Sequence, residues 1–90
     1  MARELRWTRR ALARLDEIAG YIGRDNPGRA VSFVAELRDK LEVLRAHELG
    51  RPGRVFGTRE LVLHSHYIAV YRVKGDEVHV LTLLHTARQR

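Results

Sequence analysis

The chain has no cysteine, two prolines and only two lysines, Lys40 and Lys74, and it is short of acidic residues. Without cysteine there is no disulfide, no thiol nucleophile and no thiolate metal site, so packing must hold the fold. No apolar run approaches the roughly 20 residues that cross a bilayer. The opening MARELRWTRR is charged where a signal peptide needs an apolar core. The reading is a cytoplasmic protein with one domain over residues 1–90, since this length suffices for a single modest core. A content of 44% hydrophobic and 31% charged residues lies far from the composition of disordered chains.

The shortage of acid leaves a charge of +6, with seventeen Lys+Arg against eleven Asp+Glu. Fifteen of the seventeen are arginine, whose planar fork of donors suits phosphates and carboxylates. Acidic partners are expected: a nucleic acid, a nucleoprotein or an anionic protein segment. A surface charged for solubility alone accounts for the same imbalance.

Along the chain, RELRW (3–7) alternates around Leu5 and Trp7 and predicts a short strand. Thr8 then caps a helix, with Trp7 and Leu12 at the positions of a hydrophobic staple. Leu12, Leu15, Ala19 and Ile22 form its apolar stripe, and it ends near Gly23. Asn26 and Pro27 start a second helix whose stripe is Ala30, Phe33, Leu37, Leu41 and Leu44, with Val34 beside it. Glu36 and Lys40 stand four apart on its charged flank. Gly50, Pro52, Gly53 and Gly57 interrupt any further helix, and Gly50, Pro52 and Gly53 read as a turn into the sheet.

Three strands follow, TRELVLHS, HYIAVYRV and EVHVLTLLH, the last two joined by a tight turn at Lys74, Gly75 and Asp76. Strict alternation in the last strand puts Val78, Val80, Thr82 and Leu84 on one face and His79, Leu81, Leu83 and His85 on the other. Both faces carry apolar residues, so the strand is central. The predicted fold class is α+β: an N-terminal strand, an α-helical hairpin, then a three-stranded antiparallel meander, forming one sheet packed on the hairpin.

All five histidines, at 47, 64, 66, 79 and 85, follow the second helical stripe. On an uninterrupted strand His64 and His66 share a face and reach one substrate or one metal, whereas a turn at Ser65 separates them. Two histidines without cysteine fall short of the three convergent ligands of a zinc site, so no metal or cofactor is expected. His79 reads as part of the wetter face of its strand. Cleavage of RNA through the ribose 2′-hydroxyl needs a base, an acid and cations around the phosphate. Glu60, His64, His66 and His85 are the candidate proton carriers; Arg54, Arg59, Arg72 and Arg88 are the candidate cations. The composition permits that chemistry without requiring it.

The order of elements, the Trp7 start, LDEIAGYIGRDNPGRAVSFV, GRPGRVFGTRELVL, YIAVYRV and VLTLLHTARQR together resemble the RelE/ParE superfamily, the toxins of type II toxin–antitoxin modules. The similarity covers almost the whole chain. It implies a small growth-inhibiting toxin, of the kind linked to plasmid stabilisation, neutralised by a cognate antitoxin that wraps its basic surface with a tail folding on binding. RelE-like members cut mRNA in the ribosomal A site, whereas ParE-like members poison DNA gyrase with no known chemistry of their own. RelE-like nucleases carry an arginine in the strand motif that here reads HYIAVY, at the place of Ile68. They also keep basic or aromatic groups near the C-terminus, where His85 and Arg88 stand in and no tyrosine follows. These departures favour the ParE-like side.

Three readings follow from the resemblance. In the first the chain is a non-enzymatic toxin that traps the cleaved DNA complex of gyrase, with Arg54, Arg59, Arg72, His85 and Arg88 on the surface facing target or antitoxin. In the second it is a ribosome-dependent endoribonuclease, with Arg59 and Arg88 stabilising phosphate and His64, His66 or His85 moving protons. In the third, toxicity has decayed and an antitoxin-binding, autoregulatory component remains. In all three the antitoxin is a partner and membranes and small-molecule substrates are not.

Overall fold

Thr8 and Asn26 start the two helices. In the computed structural model, which describes residues 2–47 and 49–86, the Thr8 hydroxyl accepts from the Ala11 N–H at 3.1 Å and α1 runs Arg9–Gly23. The Asn26 side chain accepts from the Arg29 N–H at 3.0 Å, and Pro27 opens α2, Pro27–Glu42. Each cap satisfies one of the N–H groups that a helix start leaves without an intrahelical partner. A 3₁₀ turn, Val43–Arg45, carries Leu44 into the core after α2.

Among the described residues there are five strands: β1 Glu4–Trp7, β2 Arg51–Pro52, β3 Arg59–His64, β4 Tyr67–Lys74 and β5 Glu77–His85. They form one sheet in the order β1-β5-β4-β3-β2. The meander β3 to β5 is antiparallel. β1 lies parallel to β5, with the helical hairpin in the connection that a parallel return requires. The α+β class and the helix-on-sheet layering agree with the sequence reading. β2 is an addition: Arg51 pairs with Glu60 and Pro52 with Arg59, so the segment read as a turn also supplies an edge strand. Its two-residue length and its proline keep that edge short.

The core fills the space between helices and sheet. It is built from Ala11, Leu15 and Ile18 of α1, Phe33, Leu37 and Leu41 of α2, and Leu63, Tyr67, Ala69, Tyr71, Val78, Val80 and Leu83 of the strands. The second helical stripe is buried as predicted, from Ala30 to Leu44. The first is rotated from its prediction: Ala11 is fully buried while Leu12 is 41% exposed, and Ile18 rather than Ala19 lines the core. Thr8 sets this rotation, because its hydroxyl also donates toward the Val80 and Leu81 carbonyls at 2.8 and 3.0 Å, docking the start of α1 on β5.

That docking point is a bulge. Val70 pairs with Thr82 but Tyr71 pairs with Val80, leaving Leu81 without a partner on β4. The extra residue reverses the alternation beyond it, so Leu83 joins Val78 and Val80 in the core and strict alternation over Val78–Leu84 fails. The Arg14 guanidinium donates to the Leu83 carbonyl at 3.3 Å and holds α1 over the same strand.

Candidate functional site

The basic loop between the 3₁₀ turn and β3 is held from beneath by two side chains of the sheet. The Gly50 N–H donates to the Tyr71 hydroxyl at 3.0 Å, and the Gly50 carbonyl accepts from the Arg59 guanidinium. Tyr71 is fully buried and Arg59 half-buried, and the two are paired across β3 and β4. Both backbone polar groups of Gly50 are therefore satisfied by side chains of neighbouring strands. A Cβ at Gly50 would lie 2.2 Å from the Tyr71 hydroxyl oxygen and 2.8 Å from the Glu60 carbonyl oxygen, so the close approach requires glycine.

Further along, the Arg54 N–H donates to Glu60 Oε2 at 3.2 Å, which gives a partner to the side chain of a residue only 8% exposed. The Thr58 hydroxyl donates to the Val55 carbonyl at 2.6 Å, and the Gly53 N–H donates to the Thr58 carbonyl at 2.8 Å. Gly57 completes the turn at φ 85°, in the left-handed region that favours glycine. The result is a braced loop. At its tip Val55 is 66% and Phe56 99% exposed, with Arg51 and Arg54 exposed on either side of Gly53.

The sheet face away from the helices has a different character. Tyr67, Ala69 and Tyr71 belong to the core, so Ile68, Val70 and Arg72 alternate to the other side. Ile68 pairs with Val62 on one flank and Leu84 on the other, which makes the centre of this face apolar. Charge lies at its end. Arg72 pairs with His79, and Arg6 of β1 pairs with His79 from the opposite flank.

There His79 is hydrogen-bonded to Glu77 at 2.8 Å, and Arg6 bridges Glu77 at 3.1 Å and Glu4 at 2.7 Å. The hydrogen bond from His79 and the nearby Arg6 charge hold the Glu77 carboxyl below the ordinary carboxylate value. His79 thus has a defined partner beyond a merely wet strand face.

Of the two arrangements open to His64 and His66, the structure shows the one in which a turn at Ser65 separates them. β3 ends at His64, a two-residue turn holds Ser65 and His66, and β4 opens at Tyr67, so the alternation that would align the two rings is broken. His64 packs edge-on against Phe33 at 5.0 Å. His66 instead stacks on His85 at 5.7 Å, with planes 17° apart, and His85 meets Tyr67 edge-on at 4.9 Å. Phe33 and Tyr67, 5.5 Å apart, join both groups into one aromatic cluster at the turn end of the sheet.

The Arg29 guanidinium sits 5.1 Å over Phe33 and bridges Glu36 at 2.6 Å, so Glu36 is paired with Arg29 rather than with Lys40. The Arg29 hydrogen bond lowers the Glu36 pKa from its ordinary value. No group of three or more His, Cys, Asp and Glu residues is arranged to hold a metal among the described residues.

The candidate residues are therefore dispersed. Arg54 and Arg59 meet at the braced loop, Arg72 lies at the charged end of the outer sheet face, and His66 and His85 form a pair at the turn end. Arg88 lies outside the described residues. Sequence reasoning missed Tyr71 as the loop's anchor and Phe56 as its tip. Phe56 carried a signal, an aromatic inside a glycine-rich turn; Tyr71 carried none, because its contact with Gly50 spans 21 positions. No described helix is long and apolar enough to cross a membrane.

Comparison with known proteins connects this arrangement to a family. The model described as ParE toxin of type II toxin–antitoxin system, parDE, matches residues 5–90. Y4kP of Sinorhizobium fredii is 45% identical over 89 residues, covering 97% of this chain and 92% of the relative. Toxin RelE2 of Caulobacter vibrioides is 36% identical over 83 residues, covering 91% and 93%. Among solved structures, a chain of the chromosomal ParDE TA system from P. aeruginosa superposes with a TM-score of 0.86 at 31% identity, covering 93% and 96%. The toxin–antitoxin complex RelBE2 from Mycobacterium tuberculosis, at 20% identity and a TM-score of 0.64, shares the fold. With the braced loop, the two-helix layer and all of the five-stranded sheet but Glu4 inside the matched span, the chain belongs to the ParE toxin family of type II toxin–antitoxin systems, within the RelE/ParE superfamily.

Proposed function

We propose that this toxin acts on DNA gyrase, trapping its cleaved DNA complex without chemistry of its own, and that a cognate antitoxin neutralises it in the cytoplasm. The observation that carries this reading is the apolar centre of the outer sheet face. A ribonuclease of this fold needs cations around a scissile phosphate, and Ile68, Val62 and Leu84 offer none. The histidines that a nuclease would use are spread around Phe33 and Tyr67, with His64 on one side of the cluster and His66 and His85 on the other. In the proposed reading Arg54, Arg72, His85 and Arg88 contribute to the surface facing target or antitoxin. Arg59 serves it by holding the loop that carries Arg54. An arginine-rich surface suits capture by an acidic tail that orders on binding.

The test is a supercoiling reaction with purified gyrase. The toxin is expected to inhibit supercoiling and to increase the linear DNA released by detergent, and an equimolar amount of antitoxin is expected to reverse both. Gyrase turning over normally at saturating toxin refutes the reading.

The ribonuclease reading rests on one specific observation, the stacked His66–His85 pair beside Tyr67, where two titratable rings lie close enough to share one substrate. Its test is the His64→Ala, His66→Ala, His85→Ala variant. Undiminished toxicity in that folded variant removes it.

A further inference from the structure

We propose that the braced loop is a preformed knob for a folded protein, with Phe56 as the anchor that enters an apolar pocket rimmed by carboxylates. The inference rests on the reading above in identifying that protein as the toxin's target, gyrase. A phenylalanine 99% exposed is unusual in a described segment tied down by hydrogen bonds at Gly53, Arg54 and Thr58. The ring lines one side of an open depression of about 440 Å³ that it shares with Pro52, Thr58 and Val73, and it stays exposed there rather than filling it. It stands outward because Thr58, Glu60 and Gly57 fix the turn that carries it. The conformational cost of the backbone that carries it is met before any partner arrives, which lets one aromatic side chain contribute more to binding.

The surroundings define the partner. Residues 49–59 contain three arginines and no acidic residue. Arg51 and Arg54 are exposed and make no ion pair among the described residues. Aromatic and arginine side chains side by side are the composition of a protein-binding hot spot, and the charge calls for an acidic rim. Val55 at the tip, 66% exposed, and Leu49 at the base, 60% exposed, add aliphatic surface. That surface suits a protein pocket better than a stacked base. The knob is convex and its turn is braced by hydrogen bonds, so it fits a cavity that exists beforehand. An antitoxin tail that folds on binding would instead occupy a groove on the toxin.

The experiment compares Phe56→Ala, Phe56→Leu and Phe56→Tyr in the full chain by three readouts: growth arrest at matched induction, affinity for the antitoxin, and affinity for gyrase. The proposal predicts that Phe56→Ala weakens gyrase binding about 30-fold, the loss of one anchor, and relieves growth arrest. It further predicts that Phe56→Leu retains most of both activities, and that antitoxin affinity changes less than twofold in every variant. Unchanged growth arrest by Phe56→Ala overturns the proposal. So does an antitoxin affinity that falls with toxicity. Phe56→Leu failing as completely as Phe56→Ala while Phe56→Tyr remains active also overturns it, because that order identifies stacking on a nucleic acid. A wild-type chain that never binds gyrase refutes the target reading alone; growth arrest and antitoxin affinity still judge the knob.

Discussion

Replacing Gly50 with alanine puts one methyl group against the anchor of the loop. The added Cβ would lie 2.2 Å from the Tyr71 hydroxyl oxygen, 2.8 Å from Tyr71 Cε1 and 2.8 Å from the Glu60 carbonyl oxygen. Ordinary contacts need about 3.5 Å, so either the loop lifts or the Tyr71 ring moves. Tyr71 is fully buried among core side chains, and forcing it costs about 1–3 kcal/mol. Lifting the loop breaks the bond from the Gly50 N–H to the hydroxyl, about 1 kcal/mol.

Whichever gives way, the loss is about 1–3 kcal/mol, which for a domain of this size lowers Tm by roughly 4–24 °C. Thermal and urea unfolding of the isolated chain measure it, and an unchanged urea m-value shows that the effect is on stability alone. Adding Tyr71→Phe removes the atom that clashes most. The double variant should then be more stable than the two single losses sum to, with a coupling of about 1 kcal/mol. A Gly50→Ala protein within about 0.5 kcal/mol of wild type, or a strictly additive double variant, refutes the clamp.

The bulge at Leu81 predicts unequal truncations: Leu83→Ala should cost about 2–4 kcal/mol in chemical denaturation, and Leu81→Ala clearly less, since Leu83 is 2% exposed and Leu81 only half-buried. Asn26→Ala should cost about 1 kcal/mol in the same assay through loss of the cap on α2. Thr8→Val should cost about 1–2 kcal/mol, because it removes a cap and the bond toward the bulge carbonyls together. Glu36 and Glu77 titrate below their ordinary 4.5 when folded, so their contribution is present above that pH. It is lost as the pH falls through their depressed folded values. Melting curves of a Glu36→Gln, Glu77→Gln variant should therefore decline less than wild type on acidification below 4.5.

What the sequence discloses is local chemistry. Asn26 followed by Pro27, Thr8 before a helical stripe, and Lys74-Gly75-Asp76 between strands specify backbone geometry through their own side chains, and each lies where expected. The errors share a cause, that the deciding partner is distant. Leu12 is more apolar than Ala11, yet Thr8 bonding to β5 turns the smaller residue inward.

Val78 to Leu84 is apolar on both parities, so no pattern marks the extra residue at Leu81. β2 has two residues, too few for any periodicity. His64 and His66 depended on whether Ser65 turned, and the slip in register between Val62 and His64 accompanies that turn. At the candidate site the arginines were visible as a class. The roles of Arg59 as a loop brace and of Glu60 as a buried acceptor come from strand pairing, which no local motif encodes.

Gyrase poisoning is the central claim, and pulse-labelling of DNA and protein synthesis in the first minutes after induction without antitoxin tests it in the cell. DNA synthesis is expected to stop first while translation continues. Translation stopping first, with cleaved mRNA and DNA synthesis intact, would contradict it.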